Sequence, residues 1–128
     1  MSLNQYILRG SHNVTPKLNE NGEWEYCEEL CNSHKYYWLH NIIIKDKDEL
    51  NEEFIPLTCE ELKDIIQKGK EVTSAKSIFL LREYFDYEVH SDNELNCVID
   101  DIKKWNMIMR RYLRNTKKKE YYYWWSRG

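Results

Sequence analysis

The stretch from Ser91 to Arg114 constrains the fold of this chain more than any other. Leu95, Val98, Ile99, Ile102, Trp105, Met109, Tyr112 and Leu113 recur at steps of three and four, which puts them on one face of a 3.6-residue helix. Ser91 and Glu94 occupy the N-cap and N3 positions of a capping box just ahead of that stripe. Asp92, Glu94, Asp100 and Asp101 sit in the early turns and Arg110, Arg111 and Arg114 in the last ones, as the helix dipole favours. At a rise of about 1.5 Å per residue this helix is roughly 34 Å long. Its apolar face must be covered by the rest of a 128-residue chain, so a single domain over residues 1–128 is expected.

Other segments supply the cover. Residues 3–9 are rich in β-formers and are closed by Gly10, which predicts a first strand. Residues 10–24 hold Asn, Ser, Thr, Pro and the Asn21-Gly22 pair, a loop or hairpin signal. From Glu25 to Ile44, Cys27, Leu30, Cys31, His34, Trp38 and Ile42 follow the helical period and predict a first long helix. Asp46 to Phe54 is charged and reads as a connecting loop. Thr58-x-x-Glu61 forms a second capping box, with Leu57 and Leu62 at the staple positions, and predicts a helix that Gly69 ends or frays. Ser77 to Val89 is an apolar stretch read as a strand or hairpin. Asn115 to Glu120 is a charged turn, and Tyr121 to Trp125 has the composition of a last strand pairing near the first. The expected fold is α+β: about three helices packed on a small antiparallel sheet that includes the N- and C-terminal strands.

Composition limits the function classes. No apolar run approaches the roughly 20 residues that cross a bilayer. The start, MSLNQYILRG, has no long apolar region of the signal-peptide kind, so a cytoplasmic location without membrane partners is expected. In that setting Cys27, Cys31, Cys59 and Cys97 are expected to be reduced thiols packed as small apolar groups. From Lys103 onward nine Lys or Arg stand against one Glu, a net charge of +8, whereas the first 102 residues hold ten against 21, a net −11. Ten Tyr, five Trp and three Phe are the other unusual feature. They serve either as a core of large rings or, near the basic C-terminal region, as stacking partners for bases.

Several of these residues together resemble a family of small phage and prophage proteins. They are Met1-Ser2-Leu3 leading into a Tyr-containing strand, Glu29-Leu30-Cys31-Asn32 followed by Lys35 and Leu39-His40, the Leu57-Thr58 helix start, and the tail Tyr121-Tyr122-Tyr123-Trp124-Trp125-Ser126. Members of that family commonly show a Trp-Arg-Lys stretch before a Leu-His or Ile-His pair, a Gly-Phe-Phe-Phe-Gly type segment and a Tyr-rich tail ending in Trp. Here Ser33-His34 stands in place of Trp-Arg, and Ser77-Ile78-Phe79-Leu80-Leu81 keeps the apolar character of the middle segment without its glycines. The resemblance implies an accessory protein acting in the cytoplasm of a host bacterium.

The chain carries neither a Gly-rich phosphate loop nor a Gly-x-Ser-x-Gly elbow. The adjacent carboxylates Glu28-Glu29, Glu52-Glu53 and Asp100-Asp101 point apart on a helix and form no acid/base couple. Cys27, Cys31 and His34, at i, i+4 and i+7 on one helix, lack the paired turn of a structural zinc site, so no metal and no cofactor is expected. The expectation is therefore a non-enzymatic protein that binds a host protein or a small-molecule ligand, in the manner of a counter-defence inhibitor or sequestering protein. The alternative is a nucleic-acid or nucleotide binder using the basic, aromatic C-terminal region, where Lys and Arg neutralise phosphates and rings stack on bases. Candidate binding residues are Trp38 and His40 in the first helix, Arg110, Arg111 and Arg114 at the end of the long one, and Tyr122 and Trp124 in the tail.

Overall fold

The computed structural model describes residues 4–11, 14–33, 36, 38–44, 54–114 and 120–127. The chain runs β1 (Asn4–Ser11), β2 (Lys17–Leu18), β3 (Trp24–Glu25), β4 (Cys27–Ser33), α1 (Trp38–Ile44), β5 (Ile55–Leu57), α2 (Cys59–Ala75), α3 (Ile78–Phe85), α4 (Asp92–Arg114) and β6 (Glu120–Arg127). It is a mixed structure in which four helices, among the described residues, accompany a four-stranded antiparallel sheet of order β4-β1-β6-β5. The expected loop from Asp46 and the turn from Asn115 fall almost wholly outside the described residues.

The first long helix expected over Glu25–Ile44 is instead a strand followed by a short helix. The reason lies in the pairing of β4 with β1. Ile7 faces Cys31 but Leu8 faces Glu29, so Leu30 is the extra residue of a β-bulge. A bulge resets the two-residue alternation, and it brings the adjacent Leu30 and Cys31 to the same core. Apolar positions 27, 30 and 31 then imitate a helical period in sequence while lying on an extended backbone.

Alternation on β1 divides the sheet into two faces. Ile7 belongs to the helix-facing core, whereas Leu8, also fully buried, lies on the opposite side with Tyr6. The small β2–β3 hairpin covers that side. Its Trp24 meets Tyr6 edge-on at 5.3 Å between ring centres and Phe54 at 6.2 Å. The Asn21-Gly22 turn forms as its sequence demands: Gly22 takes φ 78°, and the Asn19 side chain accepts hydrogen bonds from the backbone N–H groups of Asn21 and Glu23.

Over the other face lie the helices. α4 starts where the sequence places it: the Ser91 hydroxyl accepts from the Glu94 N–H at 3.1 Å, and the Glu94 carboxylate accepts from the His90 N–H at 3.2 Å. At α2 the Thr58 and Glu61 side chains each accept from the other's backbone N–H, at 3.0 and 3.2 Å, and Leu57 and Leu62 are both buried. α2 does not end at Gly69, however. It continues to Ala75 and closes at Lys76 in the left-handed region, φ 48°. Gly69 marks a close approach of α2 to α4: a Cβ there would lie 2.7 Å from Asn106 Nδ2 and 2.9 Å from Ile102 Cγ2.

The segment expected as a strand or hairpin over Ser77–Val89 contains helix α3. Ser77 caps it by accepting from the Leu80 N–H at 3.1 Å, and Asp86 ends it in the left-handed region with its N–H donating to Arg82 O. Its apolar run has no clean period. Tertiary contact selects Leu81 and Phe85, four residues apart, for burial and leaves Phe79 exposed.

Candidate functional site

Trp38 and His40, the two candidates on α1, are core residues. Trp38 is fully buried, with Phe85 and Trp105 edge-on to it at 5.1 and 6.1 Å between ring centres. Its indole N–H donates to Asp101 Oδ2 at 2.8 Å, tying α1 to α4. Burial pushes the Asp101 carboxyl above its ordinary range, while the Trp38 hydrogen bond and the Lys104 charge pull it back. His40 is also buried. Neither side chain lines a surface for a partner.

The possible thiol–imidazole constellation does not survive the strand. Cys27 pairs with Gly10 and Cys31 with Ile7, positions of opposite parity on β1, so the two thiols belong to opposite faces of the sheet. His34 lies outside the described residues. Cys31 is buried, and that burial pushes its thiol up to about 12, with Lys104 opposing. No disulfide joins these cysteines.

The three arginines of α4 have a different setting. Beside the Gly69–Asn106 contact, a groove of about 540 Å³ lies between the flanks of the two helices. Lys103, Arg110, Arg111 and Arg114 line it from α4, and Lys70 faces them from α2. Positions 103, 107, 110, 111 and 114 follow the i, i+4, i+7, i+8, i+11 pattern of one helix face, beside the buried stripe that anchors α4. Among the described residues, no ion pair engages Lys70, Lys103, Arg110 or Arg114. Thr73 adds a hydroxyl, and Met107 and Ile108 add apolar surface, Met107 being 68% exposed. Asn106 forms part of the wall. It is 7% exposed, and its Nδ2 donates to Ile66 O at 3.1 Å, so its position is fixed by the crossing itself.

Among the described residues, no carboxylate lines the groove. Five cations thus converge from two helices in a chain whose net charge is −3. Such an arrangement is suited to an anion, and its arginines offer the forked donors that phosphate and carboxylate groups accept.

No family model, no curated protein and no solved structure matches this chain.

Tyr122 and Trp124 lie in β6, whose backbone pairs with two strands. Tyr122 is opposite Arg9 and Leu57, and Trp124 opposite Ile7 and Ile55. Their side chains fall outside the described residues. Sequence reasoning missed Lys103 and Lys70. Lys103 was legible, since it shares the helical face of Arg110 and Arg114. Lys70 was not, because only the close approach at Gly69 carries it to the same groove.

Proposed function

We propose that this protein is a non-enzymatic binding module whose α2–α4 groove takes a phosphate-bearing ligand. The observation that carries this reading is the convergence of Lys70, Lys103, Arg110, Arg111 and Arg114 on one groove whose described lining holds no carboxylate. The groove's side chains are cations, a hydroxyl, an amide and two apolar groups. Among the described residues none is a carboxylate, imidazole or thiol, the groups that exchange protons near neutral pH, and the chemistry these residues offer is holding. Its volume lies within the range of about 300–1,000 Å³ usual for ligand sites. In the phage setting that the resemblance implies, the groove would sequester a nucleotide or nucleic acid of the host, which gives the expected host-directed binding protein a surface to act with.

A ligand that binds only the folded state raises the melting temperature by mass action. Pyrophosphate, nucleoside triphosphates and short oligonucleotides are therefore to be compared by thermal shift on the natural protein and on Lys103→Glu/Arg110→Glu. The expected outcome is stabilisation of the natural protein by at least one of them and its loss in the variant. No shift with any phosphate-bearing ligand would refute the proposal.

A further inference from the structure

We infer that the occupant of this groove is a single-stranded nucleic acid lying along α4, an inference that rests on the phosphate-binding reading above. The cations are spread along the helix rather than gathered at a point. From Lys103 to Arg114 is eleven residues of unbroken helix. At about 1.5 Å per residue that is a track of roughly 16 Å. A stacked strand advances about 3.4 Å along its axis per phosphate, so a track of this length matches several phosphates rather than one. A lone nucleotide, with its charge concentrated on one chain end, would engage only part of it.

Two further features favour a single strand over a duplex. The site is a recessed groove lined from the flanks of two packed helices rather than a broad basic face. A flexible strand enters it; a duplex meets only its rim. The first 102 residues also carry a net −11, a field that opposes the broad approach of a doubly charged rod. Midway along the track Met107, between Lys103 and Arg110, is 68% exposed and lines the groove. A polarizable sulfur in that place gives a base an apolar ledge while its phosphates meet the cations on either side.

The test is fluorescence anisotropy of a labelled oligothymidylate of about twelve nucleotides, a length within the usual range of single-strand sites. Affinity is measured between about 50 and 200 mM salt, where the slope of log K against log salt is about −0.7 per phosphate contacted on a single strand. Contacts to three to five phosphates give a slope of roughly −2 to −3.5. Lys103→Ala should lower its magnitude by about 0.7 and weaken binding alike for all base sequences. Lys63→Ala, a change on α2 outside the groove, should do neither. Competition separates the ways of failing. If thymidine triphosphate displaces the strand as well as an unlabelled strand does, or if a duplex of equal length binds more tightly, the single-strand inference is overturned and the phosphate groove stands. If an oligoglutamate peptide of equal charge competes equally, or no phosphate ligand binds at all, both fall.

Discussion

Replacing Gly69 by Ala tests the crossing on which the groove depends. In an exposed helix interior this change would stabilise the protein by about 1 kcal/mol, because alanine has the better helix propensity. Here the new methyl would stand 2.7 Å from Asn106 Nδ2 and 2.9 Å from Ile102 Cγ2. The Asn106 amide cannot simply swing aside, since it is buried and bonded to Ile66 O. Overpacking of this kind costs about 1–3 kcal/mol. Displacing the amide and leaving it buried without its bond adds about 1–3 kcal/mol. Set against the propensity gain, the net effect is a loss of about 1–5 kcal/mol. Urea denaturation reads it as a lower midpoint at unchanged slope. In an Asn106→Ala background the cost of Gly69→Ala should shrink, because one of the two clashing side chains is gone; the double-mutant cycle gives the coupling directly. Pushing the helices apart should also weaken anion binding, since Lys70 faces the α4 cations only across this contact. If Gly69→Ala instead raises stability by about 1 kcal/mol, α2 and α4 do not approach closely there and the groove is wrongly placed.

Asp101 predicts a pH dependence. Its carboxyl titrates higher in the folded than in the unfolded chain because of burial, so the folded state binds that proton more tightly. Its contribution to stability is complete below the unfolded carboxyl value of about 3.9 and is lost as pH rises through the elevated folded value. Melting temperatures of the natural protein relative to Asp101→Asn should fall across that acidic window; a rise would reverse the argument. Thr58→Ala removes the hydroxyl that accepts the Glu61 N–H and should cost about 1 kcal/mol by chemical denaturation, whereas no change would remove the cap from the account. With a thiol reagent at neutral pH the native protein should react readily at exposed Cys97 and not at Cys31, which becomes reactive only on unfolding; labelling of Cys31 in the native state would contradict its burial.

What the sequence determined by itself was whatever short-range physics decides. The capping box at Thr58 and the Ser91 cap on the Glu94 N–H need only residues three positions apart, and both helix starts were legible. So were the amphipathic stripe of α4, the turn at Asn21-Gly22, and the clustering of Arg110, Arg111 and Arg114 near one helix end. Tertiary structure decided the rest, because at those places two local readings were nearly equal. The segment 27–31 fits a helical period or a bulged strand, and only pairing with β1 chooses between them. The apolar run of α3 suits strand or helix, and the burial of Leu81 and Phe85 together chooses helix. Trp38, attractive as a surface ring, is drawn inward by Phe85, Trp105 and the Asp101 carboxylate, all distant in sequence. Gly69 shows the difference most plainly: by propensity it breaks a helix, but against Asn106 and Ile102 it is the residue that lets two helices touch. The groove follows from that contact, since Lys70 and Lys103 become neighbours only when the backbones of α2 and α4 come close enough to exclude even a methyl group.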